Sequence, residues 1–170
     1  MPEIFLIGDT HFGDSNIIRY ENRPFQFAEE MDEEFIRLWN ETVNKDDSTY
    51  IVGDFGAEGY EADILSALNG TKFLIKGNHD EKSNKDYREY GFEEVYDKPI
   101  ILNEFLIVSH LPQYVNERSP YANAFAHVHG SPIYKNYSGY HYCVSAERTG
   151  FKPVRLKTVI NTILKERGNF

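Results

Sequence analysis

Five short apolar runs in this chain each stop at residue types that bind metal ions. Ile4–Ile7 leads into Asp9 and His11, Thr49–Val52 into Gly53 and Asp54, and Lys72–Ile75 into Gly77, Asn78 and His79. Phe105–Val108 leads into Ser109 and His110, and the stretch Asn123–Val128 carries His127 and reaches His129. Runs of this length read as buried strands. In open α/β sheets the ligand site forms beyond the carboxyl ends of the strands, where a rigid strand aims the residue that follows it. Residues scattered along the first three quarters of the chain are therefore expected to build one site.

The residue types say what that site can hold. Asp9 and His11 lie two apart, as do His127 and His129; in extended backbone such pairs project to the same side. Asp54 adds a second carboxylate, Asn78 a neutral carbonyl oxygen and His110 another imidazole. Nitrogen and oxygen donors without sulfur suit Mn, Fe, Zn, Co or Ni, and this many candidate ligands is enough for two ions. Asp and Asn after a strand are also ordinary turn residues, so the weight lies in the ordered series.

Helical patterns separate the runs. Glu29–Val43 is amphipathic, with Met31, Phe35, Leu38, Trp39, Thr42 and Val43 recurring near the 3.6-residue period. The acids Glu29, Glu30, Asp32, Glu33 and Glu34 at its start suit the positive end of the helix dipole. Tyr60–Leu68, followed by Gly70, reads as a second helix and Leu156–Glu166 as a closing one. Glu94–Tyr96, Ile100–Asn103 and Phe105–Val108 read as strands of a meander, and Tyr140–Val144 as a further strand. With no internal repeat or linker, this alternation predicts one α/β domain over residues 1–170.

Charge narrows the partners. The formal net charge of −9 repels polyanions, so stable binding to nucleic acid or an anionic membrane is not expected. A small phosphorylated ligand held by a local positive centre remains compatible. The single cysteine, Cys143, excludes an intrachain disulfide or a thiolate zinc cluster and is expected to be a buried small hydrophobe. The N-terminal segment lacks a basic start and a long apolar core. No apolar run approaches the roughly 18–20 residues of a membrane helix. A cytoplasmic protein is expected.

The ordered pattern Asp9-x-His11, Gly53-Asp54, Gly77-Asn78-His79-Asp80, His110, Ala126-His127-x-His129 resembles the calcineurin-like metallophosphoesterase family. Five of the six histidines fall into it. The closer resemblance is to small single-domain bacterial and phage members, through Asp9-Thr10-His11-Phe12-Gly13, Asn16-Ile17-Ile18 and Asn22-Arg23-Pro24-Phe25. The resemblance implies a four-layer αββα sandwich of two mixed β-sheets flanked by helices. It implies one divalent ion held by Asp9, His11, Asp54 and His129, and a second by Asp54, Asn78, His110 and His127, with Asp54 bridging. Mn2+ leads, with Fe, Zn, Ni or Co as alternatives.

By the same resemblance, a metal-bridging hydroxide attacks the phosphate and His79 is the general acid. Arg23, Asn16 and Asn22, together with Asn78 and His79, are candidate substrate contacts, Arg23 because a guanidinium matches phosphate geometry. The implied substrate is a small phosphate ester, a phosphodiester (nucleotide-like or cyclic) ahead of a phosphomonoester. A phosphoprotein phosphatase and a non-catalytic interaction module on the same fold are the alternatives. Three positions depart from the pattern. Asp14 stands where relatives carry His, Ala57 where phosphoprotein phosphatases carry the Asp that orients the catalytic His, and Ala126 where Gly is usual. Asp80 or Glu58 is expected to stand in for the missing Asp.

Overall fold

The computed structural model describes residues 1–168. Its elements run β1 (Ile4–Ile7), α1 (Ser15–Tyr20), α2 (Ala28–Thr42), β2 (Ser48–Ile51), α3 (Glu61–Ala67), β3 (Thr71–Ile75), α4 (Asn84–Tyr90), β4 (Glu94–Tyr96) and β5 (Ile100–Leu102). They continue through β6 (Leu106–Ser109), β7 (Ala122–Phe125), β8 (His141–Cys143), α5 (Ala146–Thr149), β9 (Val154–Arg155) and α6 (Leu156–Arg167). One sheet has the order β4-β3-β2-β1-β9 and the other β5-β6-β7-β8. Both are mixed. β1 to β4 run parallel and β9 antiparallel to β1, while β6, β7 and β8 run parallel and β5 antiparallel to β6.

Alternation along the central strands divides the interior in two. Phe5, Ile7, Ile51 and Leu74 face a cluster built by the helices, with Ile17 and Ile18 of α1, Met31, Phe35 and Trp39 of α2, and Ile64 and Leu65 of α3. Leu6, Val52 and Ile75 face the second sheet, meeting Leu106, Val108, Ala122 and Ala124, and α6 joins this cluster through Leu156, Val159 and Ile163. Successive strand residues point to opposite faces, so each central strand is apolar on both sides, as a sheet covered on both faces must be. This is the expected architecture of two mixed sheets flanked by helices. α6 packs against β1, β8 and β9.

α2 illustrates the local logic. Met31, Phe35 and Trp39 fall at every fourth residue and are fully buried; each such side chain contributes about 1.5–3 kcal/mol on burial. The Trp39 indole donates to the Asn69 carbonyl at 3.0 Å, so its polar edge is not stranded.

One expectation needs correction. β4 is not part of a meander with β5 and β6: it pairs in parallel with β3, and only β5 and β6 form an antiparallel pair. The link through Asp97, Lys98 and Pro99 carries the chain from one sheet to the other. Asp32 differs from the other acids at the start of α2. It is buried, accepts from the Gly13 amide at 3.0 Å and lies 3.3 Å from the Tyr60 hydroxyl.

The sheets are joined at the edge where their parallel strands end. Gly8 bridges in parallel to Ser145, with its amide donating to the Val144 carbonyl and its carbonyl accepting from Ala146. The segments that follow β1, β2, β3, β6, β7 and β8 therefore leave on one side.

Candidate metal centre

At that edge the structure gathers the sequence candidates into two donor groups. Asp9, His11 and His129 each offer a ligand atom within 4.8 Å of the others, and so do Asp54, His110 and His127. Asp54 lies between them: its Oδ2 is 3.7 Å from His11 Nε2 and 3.4 Å from His110 Nε2. Asn78 joins the second group, with its Oδ1 3.0 Å from His110 Nε2.

The backbone reaches this arrangement differently from the extended pairs expected. Asp9, His11, Asp54, His127 and His129 all have left-handed φ values, between +48° and +68°. Each chain must turn back as it leaves its strand, and Asp and His tolerate that conformation better than most residues. Two glycines make room. Gly53 has φ +83°, and a Cβ there would come within 2.3 Å of His110 Nδ1. At Gly77 a Cβ would meet Asp54 Oδ1 at 2.2 Å.

The donor set fits divalent cations on three physical counts. First, Asp9 Oδ2 and His11 Nε2 are buried with no hydrogen-bond partner among the described residues. Buried polar atoms are otherwise nearly always satisfied. Second, lone pairs converge. His110 Nδ1 lies 3.0 Å from the Val52 carbonyl, which can only accept, so the ring proton sits there and Nε2 presents a lone pair. That lone pair faces Asn78 Oδ1 and, at 3.1 Å, His127 Nδ1. Third, the ionisation of the ligands is perturbed by their dry surroundings. Burial pushes the Asp9 carboxyl up to about 6 against the opposing pull of His129, and lowers the His11 imidazole to about 4 despite Asp54. Burial and the neighbouring His110 lower His127. A cation resolves all three.

The supporting contacts are specific. Asp9 Oδ1 accepts from the His127 amide at 3.0 Å, and Asp54 Oδ1 from the His79 amide at 2.9 Å. The Asp80 carboxylate takes the amides of Asp54, Phe55 and Gly77 at 2.7, 3.0 and 2.8 Å. Asp80 is thus committed to the backbone and does not stand in for the missing Asp beside His79. Glu58 makes no hydrogen bond to His79 among the described residues, and Ala57 is fully buried with φ +64°. The His79 ring is exposed, with its centroid 5.6 Å from that of His11. Both line an open cleft of about 690 Å3, shared with Asp14, Glu58, Tyr60 and Lys82. Asp14 caps α1 by accepting from the Asn16 amide, and its other oxygen lies 3.9 Å from His11 Nδ1.

The remaining candidates lie elsewhere. Arg23 corrects its expected role as a phosphate grip: its side chain has no exposure. The guanidinium donates to the Asp9 carbonyl at 2.6 Å, the Thr10 carbonyl at 2.9 Å and Glu147 Oε1 at 2.7 and 2.9 Å. Asn16 is exposed on α1 and accepts from Arg19, and Asn22 occupies an exposed left-handed turn. Sequence reasoning missed Glu147, whose Oε1 lies 3.1 Å from His129 Nδ1. Burial works against its ionisation, but the His129 hydrogen bond and Arg23 hold it down to about 2. The signal was available: Tyr140–Val144 is a sixth apolar run, and Glu147 follows it.

A family model described as calcineurin-like phosphoesterase matches residues 2–159. The chain belongs to that family. Membership makes it a metal-dependent hydrolase of phosphoric esters, and the two donor groups are its candidate metal sites. An uncharacterized protein of Methanocaldococcus jannaschii is 33% identical, over 97% of this chain and 93% of its own length. The gene 66 protein of Mycobacterium phage L5 is 31% identical over 47% of this chain and 41% of its own length. Among solved structures, a protein of unknown function from Aquifex aeolicus superposes with a TM-score of 0.72, at 24% identity, covering 96% of this chain and all of its own; that likeness concerns the fold. No helix of the described residues is long and apolar enough to cross a membrane.

Proposed function

We propose that the protein hydrolyses a small phosphate ester in the cytoplasm, a phosphodiester in preference to a phosphomonoester, using two divalent ions with Mn2+ foremost. Asp9, His11, Asp54 and His129 would hold one ion, and Asp54, Asn78, His110 and His127 the other. The observation that carries this reading is Asp54 Oδ2, which faces one imidazole of each donor group, at 3.7 and 3.4 Å. Two ions in such a pair of sites lower the pKa of water towards neutrality and offset charge on the phosphoryl oxygens.

The protein's own residues supply position and a proton. Asp54 faces both groups with one oxygen and tethers the His79 backbone with the other. That tether keeps the exposed His79 ring at the mouth of the cleft, where it delivers a proton to the leaving oxygen. A cleft of about 690 Å3 suits a small substrate. Its carboxylates, Asp14, Glu58, Glu61, Asp80 and Glu81, outnumber Lys82 and disfavour a polyanion such as a nucleic acid. A nucleotide-like or cyclic diester is the first candidate. The buried Ala57 leaves His79 without the carboxylate partner of the phosphoprotein phosphatases.

A turnover panel with added Mn2+ tests this, using bis-p-nitrophenyl phosphate, p-nitrophenyl phosphate and cyclic nucleotides. Metal-dependent turnover fastest on the diesters is expected, with loss on chelation. Faster monoester turnover reverses the preference. Two bound ions with no turnover would make the protein a binding module.

A further inference from the structure

We propose that Glu147 and Arg148, neighbours on the single turn of α5, clamp His129 at two points and set which ring nitrogen it offers to the first donor group. Glu147 is then a positioning residue for that ligand, and the inference rests on the metal-centre reading above.

His129 sits in a loop beyond β7, in a left-handed conformation with φ +48°. α5 supplies what holds it. Arg148 Nε donates to the His129 carbonyl and Nη2 to the Ser131 carbonyl, both at 2.6 Å, which fixes the main chain on either side of Gly130. The preceding residue takes the side chain: Glu147 Oε1 lies 3.1 Å from His129 Nδ1. Asp9 Oδ2 lies 4.0 Å from the same nitrogen, but the nearer carboxylate is that of Glu147, which can only accept, so the Nδ1 proton points at Glu147 and the lone pair of the neutral ring is left on Nε2. His110 is arranged in the same way by a different acceptor, the Val52 carbonyl at 3.0 Å.

Arg23 makes the clamp rigid. Its guanidinium pairs with the same Glu147 oxygen and also takes the carbonyls of Asp9 and Thr10. Arg23 is buried with no side-chain exposure and Glu147 with a tenth. The carboxylate, the His129 ring and the Asp9 backbone are thereby one unit. Two of the three residues in the first donor group hang on Glu147, whereas Asp54, His110 and His127 do not contact it. The clamp consequently bears on the first group directly and on the second only through Asp9, whose Oδ1 holds the His127 amide.

The experiment is done on the full chain in two arms. Histidine 15N spectra of metal-free protein, at alkaline pH where the ring is neutral, read the tautomer. Wild type should carry the His129 proton on Nδ1. Glu147→Ala should move it to Nε2, the form neutral imidazole prefers in water. Glu147→Gln, whose amide oxygen still accepts, should restore it. Glu147→Asp keeps the charge opposite Arg23 but retracts one methylene, so it should switch the tautomer even if the Ala variant fails to fold.

Calorimetric titration with Mn2+ is the second arm. Glu147→Ala or Glu147→Asp should weaken one of two ions roughly ten- to a hundredfold, with the other weakened much less and Glu147→Gln close to wild type. A wild-type proton on Nε2, or variants that weaken both ions equally or neither, overturns the clamp. Wild-type protein that binds no Mn2+ would sink the phosphoesterase reading instead, and the tautomer arm would still decide the clamp.

Discussion

Gly77→Ala tests whether the site depends on two loops meeting without a side chain between them. The backbone at Gly77 does not need left-handed freedom, so the effect is one of space alone. A Cβ there falls 2.2 Å from Asp54 Oδ1, 2.6 Å from Asp54 N and 2.9 Å from Asp54 Cγ. Carbon–oxygen contacts need about 3.3 Å, so the carboxylate or the loop has to move by about 1 Å. Neither moves freely. The amides of Asp54 and Gly77 share Asp80 Oδ2, at 2.7 and 2.8 Å, and Asp54 Oδ1 holds the His79 amide. Overpacking of this kind costs about 1–3 kcal/mol, which for a domain of this size lowers Tm by about 2–12 °C. A 1 Å shift of Asp54, which is proposed to serve both ions, should cost on the order of a hundredfold in turnover. Thermal unfolding and turnover of the variant measure these effects, and Mn2+ titration reads the displacement of Asp54. A variant with the wild-type Tm and both ions bound at wild-type affinity would refute the reasoning.

Three further outcomes are expected. His79→Ala should keep both ions and lose turnover by about 10²–10⁴-fold, most on substrates with poor leaving groups; equal loss on good leaving groups would remove the proton-donor role. Arg23→Met strands the buried Glu147 carboxylate and should cost about 3–5 kcal/mol in chemical denaturation, and a loss below about 1 kcal/mol, the range of an exposed pair, would show that the pair is not needed. Burial raises the Asp32 carboxyl to about 6, with Gly13 and Tyr60 opposing. A raised acid makes the folded state the stronger proton binder, so its contribution falls as pH rises from about 3.8 to about 6. Denaturation midpoints across that window should fall in wild type relative to Asp32→Asn; parallel profiles would refute the assignment.

The strands and the site were legible for the same reason. A short apolar run that ends in Gly-Asp or Gly-Asn declares both a buried strand and the residue it aims. What escaped was set by contacts distant in sequence. Arg23 looked like a free cation because nothing local reveals that it pairs with Glu147, 124 residues away. α4 carries a capping box from Ser83 to Asp86, yet it is polar, with Tyr87 its only buried residue, so no apolar period marks it. β9 has two residues and exists through its pairing with Phe5 and Leu6. β4 was misplaced because neighbouring strands usually pair, and here the chain changes sheets. The ligand backbone was misread as extended because a spacing of two residues carries no sign of φ.

Those backward-bent ligand positions have a consequence for the metal-free protein. A non-glycine residue in that region sits about 1–2 kcal/mol above its relaxed state, and five of them crowd one rim. The rim is therefore sprung: it has more to gain from local opening than any helix or strand beneath it. Withdrawing the ions should speed amide exchange at these turns first, with the two sheets still closed.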